Sequence, residues 1–529
     1  MTPTERATAA LPPHLRRFAV QQHHESYTPR DHAVWRHVLR RLVAGLAGRA
    51  HPRWLAGLAE TGIGVEAIPD LDGMNLALAR AGWSAIPVRG FIPPAVFTEL
   101  QSRRVLAIAA DVRTHEHVEY TPAPDIVHES AGHAPLVSDP TYAEYLRRCG
   151  EAGFRAIASA EDQAVFEAVR SLSVVKEDPA ATPDEVALAE ARLAAATASP
   201  RETSEAARAS RLYWWTAEYG LVGPLERPWI YGAGLLSSFG EAERCLGPEV
   251  DRVPLDASCA DQSFDITRMQ PRLFVARDFE HLFEVLDEVA RTMSFVCGGE
   301  HGLDAAIRAR TVNHVVLDGG REVTGRVSER IPAHGPAALA RLDGPVLLSR
   351  SGVAEGRPFL GEAILALGEG ALPERGPFDV ALASGLRLRG FAVGGAEVLR
   401  LEATLAGRPL DVPPWALLVL APSIRSVAGG PAAPAAWDGW FGALSSFAAG
   451  EGEARARAHK AAALPPALAA LYAEVRAMRE RGAAARDRLL AIREAAAAFR
   501  DDWLLAREVD ELLAAAPAGA GADRAAPPA

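Results

Sequence analysis

The stretch TPAPDIVHESAGHAPLVSDP, Thr121–Pro140, carries two histidines, His128 and His133, close together in the chain. Further along, the run LYWWTAEYGL places Glu218 among apolar and aromatic residues. A carboxylate in such surroundings is costly to bury unless a cation or hydrogen bonds compensate its charge. Two imidazoles and one carboxylate form the ligand set that binds non-haem Fe(II) and leaves coordination positions open. The pattern therefore predicts a metal site made by His128, His133 and Glu218.

The spacing of the two histidines differs from that of the common zinc-hydrolase helix. Ligands at i and i+4 lie about 40° apart around an α-helix, whereas the step from His128 to His133 corresponds to about 140°. We expect the helix to end between them, because Gly132 precedes His133 and Pro135 follows it. Mixed nitrogen and oxygen donors suit Fe(II), Zn(II) and Mn(II), so the residue types alone leave the metal open.

The composition is that of a globular protein with a small-molecule substrate. The chain has 529 residues, of which 49% are hydrophobic and 23% charged, and its formal net charge is −11. This acidic balance gives no general attraction to nucleic acid or to an anionic membrane. Four scattered cysteines favour a reducing compartment, and neither a signal peptide nor a membrane-spanning apolar run is evident. We therefore expect a cytoplasmic protein without membrane or nucleic-acid partners.

The N-terminal half has the sequence pattern expected of one catalytic domain. Residues 1–297 predict a mainly α fold with short β hairpins, because helical periodicity alternates with short apolar stretches that contain Pro and Gly. The alanine-rich stretch 151–210 predicts a helical insertion, which could be accommodated without disturbing the metal site.

The C-terminal half changes character twice. Residues 298–450 carry short β-branched runs separated by Gly and Pro, and they predict a β-rich domain of unknown role with a hairpin turn at Asp318-Gly319. Residues 451–516 predict a helical hairpin, which either packs on the β-rich domain or mediates homo-oligomer formation. The low-complexity stretch 517–529 predicts a disordered tail.

Three blocks of this sequence closely resemble the pterin-dependent aromatic amino acid hydroxylases, in the same order along the chain. These blocks are TPAPDIVHESAGHAPL, LYWWTAEYGL and YGAGLLSSFGEAE. YTPRDHAVW, IPDLDGMN and GWSAIPVRGFIPPAVF are similar to the single-domain bacterial phenylalanine 4-monooxygenases, so the resemblance covers roughly residues 20–296. It implies the mainly α hydroxylase fold, followed here by a long C-terminal extension.

The resemblance also implies a cofactor set and its binding residues. His128, His133 and Glu218 fall on the iron ligands, with dioxygen as co-substrate and a tetrahydropterin as cofactor. Glu129 falls on the acidic residue that lies near the pterin and assists oxygen activation. The pterin would contact a backbone loop and stack on an aromatic ring, which suits a flat heterocycle; the matching residues are Gly90, Phe91, Ile92 and Phe97.

For the amino acid, the resemblance assigns Arg113 to the substrate carboxylate, a task that suits its planar pair of donors, and Asp125 to orienting Arg113. The other pocket residues would line the pocket (Thr121, Gly234 and Ser237) or cage the aromatic ring (Pro124, Trp214 and Tyr219). Ile266 is apolar where tyrosine hydroxylases typically carry an acid, which favours phenylalanine. Ala107 departs from the family, which often has a polar residue there.

The implied reaction is the hydroxylation of L-phenylalanine to L-tyrosine, as in phenylalanine catabolism, with pterin-recycling enzymes as partners. Tryptophan hydroxylation is the nearest variant. A zinc hydrolase built on HESAGH and a protein whose β-rich region mainly binds a partner are the alternatives from other classes.

Overall fold

The computed structural model of the chain describes residues 1–90, 92–115, 118, 125–177, 181–198, 202–266, 268–333, 335–430, 464–482 and 485–515. The helices described between residues 1 and 309 are α1 (Pro3–Ala10), α2 (Pro13–Arg16), α3 (Pro29–Leu46), α4 (Pro52–Glu60), α5 (Leu71–Leu78), α6 (Pro94–Ser102), α7 (Ala134–Leu136), α8 (Pro140–Arg155), α9 (Ala160–Glu177), α10 (Pro183–Ala198), α11 (Glu205–Tyr213), α12 (Ala233–Leu236), α13 (Phe239–Arg244), α14 (Phe279–Ala290), α15 (Ser294–Cys297) and α16 (Gly299–Ala309). Two π-helices, π1 (His128–His133) and π2 (Trp214–Glu218), lie among them.

Many of these helices begin at a proline that follows a capping residue. In α3, the hydroxyl of Thr28 accepts a hydrogen bond from the amide of Asp31, and the Asp31 carboxylate accepts one from the amide of Thr28. Proline at the first helical position costs no hydrogen bond and has a suitable φ already set. The start of α3 at Thr28-Pro29 is therefore specified by residues that are close together in the chain.

The N-terminal core is aromatic and is assembled from distant helices. Its largest fully buried side chains are Trp35, Trp54, Tyr142, Tyr145 and Tyr231. They belong to one hydrophobic cluster that also includes residues of α14 and of the C-terminal helices. This cluster forms the rigid support of the candidate site.

The strands of this half pair mostly in parallel. The strands are β1 (Ser84–Val88), β2 (Val105–Ala109), β3 (Leu221–Val222), β4 (Trp229–Ile230), β5 (Asp251–Pro254) and β6 (Arg272–Ala276). β1 pairs with β2, and β6 with both β3 and β5, in parallel; β3 and β4 form the antiparallel pair. The prediction of short hairpins is therefore wrong for most of these strands. α6 separates β1 from β2, and a helical crossover joins strands in parallel.

The strands between Asn313 and Gly429 form one large mixed sheet. Its strands are β7 (Asn313–Leu317), β8 (Arg321–Ala333), β9 (Gly335–Arg350), β10 (Val353–Ala354), β11 (Ala363–Leu367), β12 (Gly376–Ala381), β13 (Leu386–Gly394), β14 (Glu397–Leu405), β15 (Arg408–Leu410), β16 (Trp415–Ala421) and β17 (Ile424–Gly429). The main order is β12-β13-β14-β16-β11-β9-β8-β7-β17, and the β11–β16 pair is parallel. Asp318-Gly319 lie in the turn between the antiparallel β7 and β8, as predicted.

The C-terminal residues form three helices where a hairpin was predicted: α17 (Pro466–Arg481), α18 (Arg486–Ala496) and α19 (Trp503–Ala515). The carboxylate of Asp502 accepts a hydrogen bond from the amide of Leu505 at 3.0 Å and so caps α19, which separates it from α18. α17 and α19 pack on α3 of the N-terminal half. The predicted packing on the β-rich domain therefore does not describe them, and the predicted tail 517–529 lies outside the described residues.

The cysteines and helix lengths bear on the expected environment. All four cysteines are free. Burial raises the pKa of Cys149, Cys245 and Cys259 to about 12, so these three stay protonated near neutral pH.

Within the described ranges, no helix combines the length and apolar character needed to cross a bilayer.

Candidate metal centre and substrate pocket

The two histidines lie on π1, at its first and last residues. The amide of Ala134 donates to the carbonyl of Glu129, a bond across five residues. Such i→i+5 bonds place residues five apart near one another on the helix surface. The expected helix end between His128 and His133 is therefore wrong, and a π-helix achieves the same convergence. Gly132 is needed for close packing, because a Cβ there would lie 2.8 Å from the Cβ of Ala233.

Glu218 ends the second π-helix, π2, which continues directly from α11. Two glycines let the chain return close behind it. A Cβ on Gly232 would lie 2.3 Å from the carbonyl oxygen of Glu218, and one on Gly220 would lie 2.2 Å from the carbonyl oxygen of Thr216. The backbone around the carboxylate is thus packed too tightly for side chains at these two positions.

The predicted ligands converge as a compact group. His133 Nε2 lies 2.9 Å from Glu218 Oε1, and His128 Nε2 lies 3.3 Å from Glu218 Oε2. One donor atom from each residue lies within 4.8 Å of the others. The side chains are largely buried, and three donors of this kind fit a divalent metal that keeps further positions for other ligands. The residues therefore fit the iron site that the sequence predicts.

The electrostatics of the group favour a cation at the same place. Burial by itself would lower the pKa of His128, but the carboxylates of Glu218, Glu129 and Asp125 act together against it, Glu218 most strongly, and raise that pKa to about 9. Burial likewise opposes ionisation of Glu218, yet the two imidazoles hold its pKa well below the usual range. The carboxylate is thus ionised and needs a positive partner, which a bound metal would supply.

Ser237 orients one of the metal ligands. Its hydroxyl donates to the carbonyl of Ala233 at 2.7 Å, so it accepts from His128 Nδ1 at 3.0 Å. A proton on Nδ1 leaves the Nε2 lone pair free for a metal. The sequence assigned Ser237 to the substrate pocket, whereas its hydrogen bonds connect it to His128.

We expect Ser237→Ala to weaken iron binding about tenfold or more, since losing a hydrogen bond to a ligating histidine commonly costs about 10–100-fold in metal affinity. Competition with a chelator under anaerobic conditions would measure the change. Ser238→Ala is the matched control, because the neighbouring Ser238 makes no capping hydrogen bond with its side chain. Equal iron affinity in the Ser237→Ala variant and the wild type would contradict this role.

Glu129 lies next to the ligand group without belonging to it. Its Oε1 lies 3.9 Å from His128 Nε2, and among the described residues its buried Oε2 has no hydrogen-bond partner. Burial raises the pKa of this carboxyl group, although both histidines act in the opposite direction. A buried carboxyl group with an unpaired oxygen beside the ligands can hold a proton there.

Phe97, one of the predicted pterin residues, is connected to His133 through Tyr213. The Phe97 ring makes an edge contact with Tyr213, with centroids 5.7 Å apart, and the Tyr213 hydroxyl oxygen lies 3.5 Å from His133 Nε2. Gln101 Nε2 donates to the same hydroxyl at 2.6 Å. Tyr213 and Gln101 were missed by the sequence analysis, although Tyr213 stands in the quoted block LYWWTAEYGL.

Gly90 and Ile92, two further predicted pterin residues, precede α6 in the chain. Gly90 adopts a φ of +61, which favours glycine, and Ile92 packs against the small cluster around β1 and α6. Phe91 lies outside the described residues.

Arg113 and Asp125 form a buried two-pronged ion pair. Arg113 Nε lies 2.8 Å from Asp125 Oδ2, and Nη2 lies 2.9 Å from Oδ1, with both side chains 4% exposed. Arg113 Nη1 donates to the carbonyl of Val118 at 3.2 Å. The pair fixes the plane of the guanidinium, as expected of a group that receives a carboxylate. Thr121 and Pro124 lie outside the described residues.

Two of the predicted ring-cage residues, Trp214 and Tyr219, belong to an aromatic stack. Trp214 lies between Phe264 and Tyr219, with centroid distances of 4.2 Å and 4.4 Å. Gly234 permits this arrangement, because a Cβ there would lie 2.8 Å from Tyr219 Cε2. Phe264 was missed by the sequence analysis, although it stands two residues before Ile266.

Two other positions differ from the rest of the pocket. Ile266 is 54% exposed, and the structure does not gather it into the aromatic stack. Ala107 is buried in β2 within the cluster that includes Phe97.

Glu241 supports the far end of the stack and should make stability depend on pH. The Tyr219 hydroxyl donates to Glu241 Oε1 at 3.4 Å, and burial raises the pKa of Glu241 to about 7. Between the ordinary value of 4.5 and about 7, the folded state therefore binds more protons than the unfolded state. We expect the free energy of unfolding to fall as pH rises through this window.

Urea unfolding of the wild type and Glu241→Gln at pH 5 and pH 8 would test this expectation. The wild type should lose stability relative to the variant at the higher pH, because glutamine has no titrating proton. The same stability difference at both pH values would show that Glu241 does not have the raised pKa.

The fold and the site together define a class: an enzyme with a His-His-Glu metal centre of the non-haem iron type beside a stack of aromatic side chains. A family model described as biopterin-dependent aromatic amino acid hydroxylase matches residues 17–168 and 188–297. The chain belongs to this family. HESAGH lies within the matched region, so the zinc-hydrolase alternative is not retained. The matched residues end before the large sheet and skip part of the predicted insertion at 151–210.

Individual relatives are similar over the same half. The chain is 31% identical over 266 residues to a phenylalanine-4-hydroxylase of Pseudomonas aeruginosa, covering 50% of this chain and 84% of that protein. It is 30% identical over 270 residues to a phenylalanine-4-hydroxylase of Ralstonia nicotianae, covering 50% and 72%. Against the Chromobacterium violaceum phenylalanine hydroxylase structure with bound iron(III) and oxidised 7,8-dihydrobiopterin, the TM-score is 0.42 at 28% identity, covering 54% of this chain and 90% of that chain.

Proposed function

We propose that this chain is an iron- and tetrahydropterin-dependent monooxygenase that hydroxylates L-phenylalanine to L-tyrosine with dioxygen. The observation that carries the proposal is the convergence of His128, His133 and Glu218 in a chain of the biopterin-dependent family. The relatives named phenylalanine-4-hydroxylase support the choice of amino acid.

Iron held by the three ligands and a bound tetrahydropterin would together supply the activation of dioxygen for attack on the aromatic ring. The pterin would supply two electrons and take up the second oxygen atom, so it would have to be dehydrated and reduced before it could be used again. A pterin dehydratase and a reductase are therefore the expected partners.

The chain's own residues bind and orient the reactants. Arg113, held by Asp125, is the proposed contact for the substrate carboxylate, and the stack around Trp214 is the proposed wall for its aromatic ring. Asp125 Oδ1 also lies 3.4 Å from the amide of His128, so the carboxylate contact and the metal ligand share one support. Holding substrate and metal at a fixed separation is a large source of rate enhancement.

Phe97 and Glu129 are the proposed contacts for the pterin. Phe97 reaches His133 through Tyr213, so a ring stacked on Phe97 would lie close to the metal. Glu129, with its raised pKa, is suited to hold a proton beside His128 Nε2 and release it when oxygen is reduced.

The direct test is anaerobic loading of the full chain with Fe(II), followed by tetrahydropterin, oxygen and phenylalanine, with tyrosine measured by chromatography. We expect tyrosine to form only when iron, pterin and oxygen are all present. Parallel reactions with tryptophan distinguish the nearest variant. Formation of hydroxytryptophan without tyrosine would identify tryptophan, instead of phenylalanine, as the substrate. The absence of a hydroxylated product from both amino acids would overturn the proposal.

Three further expectations belong to the same proposal. A cytoplasmic location is an expectation that rests on the sparse cysteines, which suit a reducing compartment, and fractionation of the source cells would test it. Homo-oligomer formation through α17–α19 stays a prediction; Leu490 and Trp503 on these helices are exposed, and sedimentation analysis would test it. The role of residues 298–450 as a partner-binding domain also stays a hypothesis.

A further inference from the structure

The C-terminal helices, α17–α19, complete the core of the N-terminal half. Tyr472, Leu505 and Val509 are buried in the same hydrophobic cluster as Trp35 and Val38 of α3. The family match ends at residue 297. These helices follow the large sheet in the chain, and they extend the hydrophobic core of the matched domain. Their apolar faces have a partner within their own chain.

Buried ion pairs lock α19 onto α3. Arg36 Nε lies 3.0 Å from Glu508 Oε1, and these side chains are 4% and 2% exposed. Arg479 of α17 adds a second cation, with its Nε 2.9 Å from Glu508 Oε2. Charges buried this deeply need all of their partners, so the position of α19 relative to α3 is tightly constrained.

The turn before α19 is hydrogen-bonded to the segment of chain that contains Arg113. His115 Nε2 donates to the carbonyl of Asp501 at 3.2 Å, and the ring is buried. The neighbouring residue Asp502 accepts hydrogen bonds from the Tyr472 hydroxyl at 2.6 Å and from the amide of Leu505 at 3.0 Å. These bonds hold the Asp501 carbonyl in place, so it provides a rigid anchor for His115.

We propose that the C-terminal helices position the substrate-carboxylate contact, and that His115 is the positioning residue through which they act. His115 lies two residues after Arg113 in the Arg113 segment (residues 111–115). The ion pair with Asp125 fixes the guanidinium of Arg113. The hydrogen bond from His115 to the Asp501 carbonyl attaches the backbone of the same segment to the turn before α19. The inference rests on the proposed function, since it takes Arg113 as the carboxylate contact.

Two His115 variants of the full chain separate positioning from general destabilisation. His115→Leu removes the donor to Asp501, and we expect KM for phenylalanine to rise about tenfold, the size of one lost hydrogen bond, with kcat and pterin KM within about twofold of wild type. His115→Gln retains an amide donor at a similar reach and should recover most of the affinity. Iron content should equal that of wild type in both.

The remote anchor gives an independent variant. Glu508→Gln weakens the attachment of α19 without touching the Arg113 segment, and we expect KM for phenylalanine to rise while kcat is retained. Asp510→Asn is the matched control, because Asp510 lies on the same helix as Glu508 but forms an exposed pair with Arg493 of α18, so its replacement should have no effect.

Hydrogen exchange provides a readout that does not depend on activity. Amides in peptides containing Arg113 and His115 should exchange faster in His115→Leu and Glu508→Gln than in wild type or Asp510→Asn. If the wild type makes no tyrosine but the exchange pattern holds, the proposed function fails and the positioning contact stands. Unchanged exchange and an unchanged KM in His115→Leu, or equal losses in the Leu and Gln variants, would overturn the inference.

Discussion

Replacing Glu218 with alanine is expected to abolish both iron binding and hydroxylation. Glu218 supplies the only carboxylate in the ligand group identified among the described residues, and both histidines face it at 2.9 Å and 3.3 Å. Outer hydrogen-bond partners of metal ligands already contribute about 10–100-fold to affinity, so loss of a ligand itself should cost more than about 100-fold. Metal analysis after anaerobic loading and desalting, together with tyrosine formation, would measure both effects.

A matched substitution controls for general damage. Glu243 is exposed on α13 of the same half, so Glu243→Ala should keep full iron content and activity. Circular dichroism of Glu218→Ala should show a folded protein, because the hydrophobic core of this half is built from other side chains. Iron bound by Glu218→Ala at the wild-type level would remove this carboxylate from the ligand set, and with it the non-haem iron assignment.

Replacing Asp125 with alanine is expected to have the second largest effect, on both stability and substrate binding. It leaves the buried Arg113 guanidinium without its counter-charge, and breaking a buried pair in this way typically costs about 3–5 kcal/mol. Burial opposes ionisation of Asp125, but Arg113 outweighs it and lowers the carboxyl pKa, so the pair is charged in the folded state. With the guanidinium no longer oriented, KM for phenylalanine should rise about 100-fold.

Urea unfolding and steady-state kinetics would test these two effects. The exposed pair of Asp379 with Arg387 in the large sheet is the control, and Asp379→Ala should leave the urea midpoint close to that of the wild type, because exposed ion pairs contribute little to stability. An Arg113→Met, Asp125→Leu double variant should be more stable than Asp125→Ala, because it leaves no unpaired charge. Stability within about 1 kcal/mol of wild type in Asp125→Ala would show that the pair is not buried as described.

Several features of the site could be predicted because local residue chemistry specifies them. Imidazole and carboxylate side chains near apolar residues indicate a metal, and the order of HESAGH and LYWWTAEYGL identifies the family without any coordinates. Helix starts such as Thr28-Pro29 also follow from local bonding, since a capping side chain and its partner are three residues apart.

The convergence of His128 and His133 could be predicted, but its cause could not. The sequence suggested a broken helix, whereas π1 keeps the chain helical and relies on i→i+5 hydrogen bonds. A π-helix is stabilised by the contacts around it more than by its own residues, and here Gly132 lets the helix pack directly on Ala233. Such a close approach depends on residues far away in the chain.

The family could be recognised from the sequence alone, which also indicated the ligand types and a change from mainly helical to β-rich residues near position 298. Only the tertiary structure shows that Ser237 is hydrogen-bonded to His128, that Phe264 stacks on Trp214 and that α19 forms an ion pair with α3. The pairing of Arg36 with Glu508 spans 472 positions of the chain. Local propensity carries no information about such a partner, because the pair gains stability only when the whole core closes around both charges.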